Sequence, residues 1–238
     1  MSGLEQWLSF IEKLEKEWPK AEIGKSWIKT CPVDITHAAI IENPFDVCKY
    51  ENPTLKIAQL EKQYLNVESK NEALQKWKNG AALVRISLIG GEKWGTTKNN
   101  KHCLRELIIS RENKEVQISV RCSDFIKKFP IDVYFLHNVV LKEFDVEDYN
   151  WVFMFDSIML RSPFYYIYLE QVYHLWGEEA LIQRLLRPSN MMQSFLNYYH
   201  KNMDNDITYK SLNRARERFM ECDCYPMIFP FIEDYARK

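Results

Sequence analysis

A chain of 238 residues with 46% hydrophobic and 27% charged side chains has ordinary globular composition, which excludes a disordered protein. A formal charge of −1 excludes a global field that would recruit nucleic acid or an acidic membrane, so no extended nucleic-acid surface is expected. Aromatics at 14% against only seven glycines predict a well-filled core with few tight turns, and no linker divides what is expected to be mainly one domain.

Leu4, Leu8, Ile11 and Leu14 recur at helical spacing among lysines and glutamates, predicting a helix from Ser2 to Trp18 that Pro19 ends. Its role is to dock on the core or on a partner. Asp34 to Glu42 is expected as a strand closed by Asn43-Pro44. Leu55 to Asn66 and Asn71 to Lys78 are expected as two helices, the second stopped by Asn79-Gly80. Apolar, β-branched Ala81 to Ile89 predicts a buried strand, and Gly90-Gly91 then opens a polar loop to Lys101.

Leu104 to Ile109 and Val116 to Arg121 predict neighbouring strands joined by the polar turn Glu112-Asn113-Lys114. Ile131 to Phe144 is expected as a helix and Trp151 to Leu160 as a buried strand. Pro163 to Trp176 predicts an aromatic helix with proline in its first turn, and Glu178 to Leu186 another that ends before Pro188. Further helix is expected from Asn190 onward. There is no internal repeat or low-complexity segment. The first segment is amphipathic rather than a signal core, and no apolar run is long enough to cross a bilayer. Six cysteines without a framework spacing then predict a cytoplasmic protein with reduced thiols and no membrane partner.

Metal ligation has little support: His102-Cys103 and Cys222-x-Cys224 lack the paired, wider spacing of structural zinc. No Gly-rich phosphate loop, nucleophile elbow or kinase signature is present. The segment Arg121-Cys122-Ser123-Asp124 is different. An arginine at a strand end offers a two-pronged charge-assisted cradle for a monophosphate, to which a neighbouring hydroxyl or thiol adds a bond. The plainer alternative is a surface ion pair between Arg121 and Asp124.

The surroundings of that segment resemble the thymidylate synthase family, including dCMP hydroxymethylase. That family has a strand hairpin, an Arg-Ser-x-Asp motif, and a Pro-x-Asn or Pro-x-Asp opening a helix; here Arg121-Cys122-Ser123-Asp124 precedes Pro130-Ile131-Asp132, with Asp132 eleven residues beyond the arginine. The family's His-x-Tyr and following helix are similar to Pro163-Phe164-Tyr165 and Leu169-Glu170-Gln171-Val172. Ala38 to Phe45 is similar to a first core strand, and Asn71 to Ser87 to a helix leading into the family's Arg-Arg strand. The resemblance runs with gaps from about Ile35 to Glu179 and is most specific between Arg121 and Val172.

It implies an α/β (α+β) fold with a bent mixed sheet flanked by helices, and a homodimer. Residues 1–34 would be an N-terminal helical extension, 35–187 the core, and 188–238 a mainly helical extension of the same domain. Arg121 would bind phosphate, with Cys122, Ser123 and Asp124 beside it, and Tyr165 would touch the sugar. Asp132 would read the base. An ionised carboxylate only accepts hydrogen bonds, so it suits the exocyclic amine of cytosine. Asp132 has a plainer reading as well, a first-turn acid favoured by the helix dipole.

Cys103 would be the nucleophile that attacks the pyrimidine, its thiolate favoured by Arg121 and Lys101, or else a small buried thiol at a strand start. Active members carry a Tyr-Gly loop, a proton-relaying glutamate, paired arginines and a folate-closing C-terminus that have no counterpart here; Arg85 stands near the arginine positions. Folate-dependent methylation is therefore not expected, and a reduced folate enters as cofactor only if one-carbon transfer is retained. The expected ligand is a pyrimidine nucleoside monophosphate, with hydroxymethyl transfer at C5 as the reaction. An inactive nucleotide sensor or scaffold on the same dimeric fold is the alternative.

Overall fold

The computed structural model describes residues 3–17, 38–41, 60, 61, 64–88, 104–203, 205, 207 and 209–235. Two compact units are present, one of residues 1–7 and 34–158, the other of residues 8–33 and 159–238. The fold is mixed α and β. No helix among the described residues is long and apolar enough to cross a membrane.

Among the described residues the first unit is built on a five-stranded sheet of β1 (Ala38–Ile41), β2 (Leu83–Ser87), β3 (Leu104–Ser110), β4 (Glu115–Asp124) and β5 (Asn150–Met159), in the order β1-β5-β4-β3-β2. β2, β3 and β4 form an antiparallel meander, and β1 pairs antiparallel with β5. At the central seam Asn150, first residue of β5, donates its N–H to the carbonyl of Lys114, just before β4, at 2.8 Å. These two strands start at the same edge and so run parallel, which requires the crossover that lies between them.

Period-two alternation buries Val116, Ile118 and Val120 of β4. β3 breaks that rhythm. Its register against β4 shifts between Leu104 and Glu106, a bulge at Arg105, and this is why Leu104 and Leu107, an odd number of residues apart, are both fully buried. The stretch expected as a buried strand over Ala81 to Ile89 is, among the described residues, an edge strand covered on one face: Val84 and Ile86 face the core, Arg85 is exposed, and Leu83 is 58% exposed. Among the described residues β3 is its one strand neighbour, a fact no local pattern reports.

Of the two helices expected before β2, the first lies largely outside the described residues, of which Leu60, Glu61 and Tyr64 are helical; the second is α2 (Val67–Lys78), which starts earlier than Asn71. Asn66 is its N-cap, accepting from the Ser69 N–H at 3.0 Å, rather than the end of a preceding helix. The stop is as expected. Gly80 has φ +86°, and the N–H groups of Gly80 and Ala81 return to Trp77 and Lys76, the paired bonds of a left-handed C-cap. Arg111 lies 3.8 Å over the Trp77 ring, closing this helix against the β3–β4 turn.

The crossover from β4 to β5 was expected as one helix over Ile131 to Phe144. It is α3 (Phe129–Phe135) followed by a π-helical turn, Leu136–Val140, in which the Leu141 N–H reaches back five residues to Leu136 at 2.8 Å. Phe129 stacks on Phe125 at 4.5 Å and meets Phe153 edge-on at 4.8 Å, pinning the start of α3 to β5. Trp7 of α1 (Gly3–Glu17) adds a hydrogen bond from its indole N–H to the Phe125 carbonyl at 3.1 Å.

The second unit holds α4 (Tyr165–Leu186), α5 (Asn190–Asn202), α6 (Lys210–Glu221) and α7 (Tyr225–Tyr235), with the later part of α1. A short 3₁₀ turn, Ser162–Phe164, places proline at the entry to α4. Gly177 interrupts α4 at φ +82°, ψ 179°, so the two expected helices, Pro163 to Trp176 and Glu178 to Leu186, are its two arms. Phe219 sits among Tyr199 at 4.4 Å, Phe195 at 5.3 Å and Tyr225 at 5.0 Å, an aromatic core joining α5, α6 and α7. Arg216 spreads one guanidinium nitrogen over the carbonyls of Asn202, Met203 and Asn205 at 2.8–3.0 Å, capping the C-terminus of α5 from α6.

Candidate functional site

The end of β4 turns directly into α3, and most of the expected site residues lie there. Strand alternation decides which of them act together. Gln117, Ser119 and Arg121 lie on the half-buried face of β4, opposite Val116, Ile118 and Val120. Ser123 is next on the Arg121 face, and it is 1% exposed. Its Oγ has no hydrogen-bond partner among the described residues. Arg121 and Ser123 therefore share one face of β4, and Asp124 points to the other.

Asp124 is 2% exposed and so is not a surface group. Its Oδ1 accepts from the Lys127 N–H at 3.3 Å, and its carbonyl accepts from the Lys128 N–H at 2.7 Å. Asp124 thus shapes the turn that launches α3.

Asp132, in the first turn of α3, is 5% exposed. Burial pushes its carboxyl up to about 7, with the Asp124 carboxylate adding to the rise and the Lys128 ammonium opposing it. At neutral pH this group is divided between an ionised form that only accepts and a neutral form that donates one hydrogen bond and accepts another.

Tyr165 belongs to the second unit. It is buried, and its hydroxyl donates to the Glu15 carboxylate. Burial and the neighbouring Glu15 hold that phenol well above its ordinary range, so it remains a donor. Glu15 also accepts from the Ser189 hydroxyl at 3.1 Å. Arg85, near the expected arginine positions, faces Glu106 at 3.5 Å on the exposed side of β2.

Cys103 and the side chain of Cys122 lie outside the described residues. Among the described residues no three His, Cys, Asp or Glu side chains are grouped to hold a metal ion. Cys222 and Cys224 are buried with their sulfurs 3.3 Å apart. The hydrogen bond between these free thiols and their burial both push the Cys224 thiol far up, away from the thiolate a metal needs.

Two participants were not singled out from the sequence. Lys128, four residues before Asp132, had a readable signal in that helical spacing. Glu15, 150 residues from Tyr165, had none. Comparison of the chain with protein-family models, curated proteins and solved structures returned no match.

Proposed function

We propose that the chain binds a pyrimidine nucleoside monophosphate where β4 runs into α3, on a thymidylate-synthase-like framework. The observation that carries this reading is the shared face of Arg121 and Ser123, with a buried hydroxyl that lacks a partner among the described residues. An unpaired buried hydroxyl costs about 1–3 kcal/mol, and a phosphate oxygen held by the adjacent guanidinium would accept its proton. Asp132 reads the base. Its ionised form accepts from the amino group of cytosine, and its neutral form pairs with that amino group and the ring nitrogen together, so a cytidylate suits both states.

On this reading the protein is a homodimer. If it is an enzyme, it transfers a hydroxymethyl group to C5, with Cys103 as nucleophile and a reduced folate as donor. A second reading, an inactive nucleotide sensor or scaffold, is favoured by one observation: the Tyr165 hydroxyl, assigned by the resemblance to the sugar, is given to Glu15.

Calorimetric titration with dCMP, dUMP, dTMP, CMP and UMP tests the proposal. Binding of one cytidylate that Arg121→Ala abolishes supports it. Heat from none of the five removes it.

A further inference from the structure

The second unit contains a cleft of about 520 Å³, formed where the end of α1, the base of α4 and the start of α5 meet. That volume falls in the range that accommodates a small organic ligand. Two neighbouring sets of hydrogen bonds line it. In one, Arg184 bonds Glu12 through one terminal nitrogen and the Tyr168 hydroxyl through Nε at 3.1 Å, while Tyr168 leans on Glu12 at 3.3 Å. In the other, Glu15 takes the hydroxyls of Tyr165 and Ser189. Ser189 is itself fixed, because its Oγ caps α5 by accepting from the Met192 N–H at 3.1 Å.

Lys16 and Arg187 stand exposed on the rim, with no ion-pair partner among the described residues. Pro188 and Met192 add apolar wall. The polar inventory is lopsided: Glu12 is matched by Arg184, and the rim cations are left over.

We propose that this cleft binds a small organic anion, a carboxylate or a phosphate monoester on an apolar body, through Lys16 and Arg187. Glu15 makes the binding proton-linked. Among the described residues the charged and titratable groups around it are Glu12 and Lys16 on its own helix, Tyr165, Tyr168 and Arg184 on α4 and Arg187 just after it, with the Ser189 hydroxyl capping α5. Burial pushes the Glu15 carboxyl up to about 7, against the hydrogen bonds of Tyr165 and Ser189. While it holds its proton, three cations face one carboxylate. Once it ionises, a second negative charge stands beside the incoming anion and repels it.

The test is titration of the full chain with benzoate and with phenyl phosphate, using benzyl alcohol as the uncharged comparison, near pH 6 and near pH 8. At least one anion binds and the alcohol does not. The better of the two anions identifies the head group. Affinity falls about tenfold between the two pH values, the loss of the protonated fraction. Glu15→Gln keeps the low-pH affinity at both. Lys16→Ala and Arg187→Ala, both on the exposed rim and harmless to folding, each weaken binding, while Arg121→Ala leaves it unchanged. Absence of binding by either anion, indifference to both rim variants, or an unaltered pH dependence in Glu15→Gln overturns the proposal.

Discussion

The carboxyl of Asp132 raises its proton affinity partly against that of Asp124, and both are almost completely removed from water at one corner of the sheet. Two acids placed this way weaken the fold at neutral pH unless something gains from them.

Stability therefore carries a signature. Below about 4 the Asp132 carboxyl is protonated in both folded and unfolded chains. Between that point and about 7 the unfolded chain has lost the proton and the folded chain keeps it, so stability falls as pH rises through the window. Asp132→Asn is expected to flatten this slope and to stabilise the protein above pH 7 by on the order of 2–4 kcal/mol. Urea unfolding across the window measures it. A steeper slope in the variant would show that Asp132 is ionised when folded.

Ser123→Ala separates a packing defect from a binding group. With no partner for its Oγ among the described residues, removal of the hydroxyl is expected to leave stability unchanged or raise it by up to about 1 kcal/mol. The same change is expected to weaken a bound nucleoside monophosphate several-fold. Thermal melts with and without dCMP give both numbers, and a large loss of stability without ligand would place an internal partner on that hydroxyl.

Arg216→Ala strips three carbonyls at the end of α5 of their donor. A loss of about 1–3 kcal/mol is expected, with Arg216→Lys recovering part of it. Amide exchange should show the last turn of α5 fraying in the alanine variant while α4 stays protected.

Gly177 has room for a methyl group, since a Cβ there meets nothing within 4 Å. Its backbone angles are the obstacle, a combination open almost only to glycine. Gly177→Ala is expected to cost about 1–3 kcal/mol through strain alone. If the variant melts at the wild-type temperature, the bend does not depend on glycine.

Much of the fold could be read from local chemistry. The run Trp151 to Met159 gives β5, Gly80 gives the end of α2, and the facing of Arg121 with Ser123 follows from a period of two. What escaped depends on partners far along the chain or on residues with two meanings. Asn66 serves equally well to end a helix or to begin one, and only its bond to Ser69 decides. The apolar content of β2 says that one face is covered but not that it is an edge. Glu15 and Tyr165 meet across 150 residues, and nothing local announces a buried carboxylate. The π-helical turn after Phe135 has the composition of ordinary helix.

The bulge at Arg105 acts as a phase marker in the sheet. Every residue of β3 after it keeps one parity of inside and outside, and Leu104 before it keeps the other. Insertions and deletions on its two sides are therefore not equivalent to substitutions of similar size. Excising Arg105 alone would join the two parities into one regular alternation, with Leu104 still opposite Val120 and still facing inward. Loss of a residue is therefore better absorbed at the bulge than at the regularly paired positions of β3.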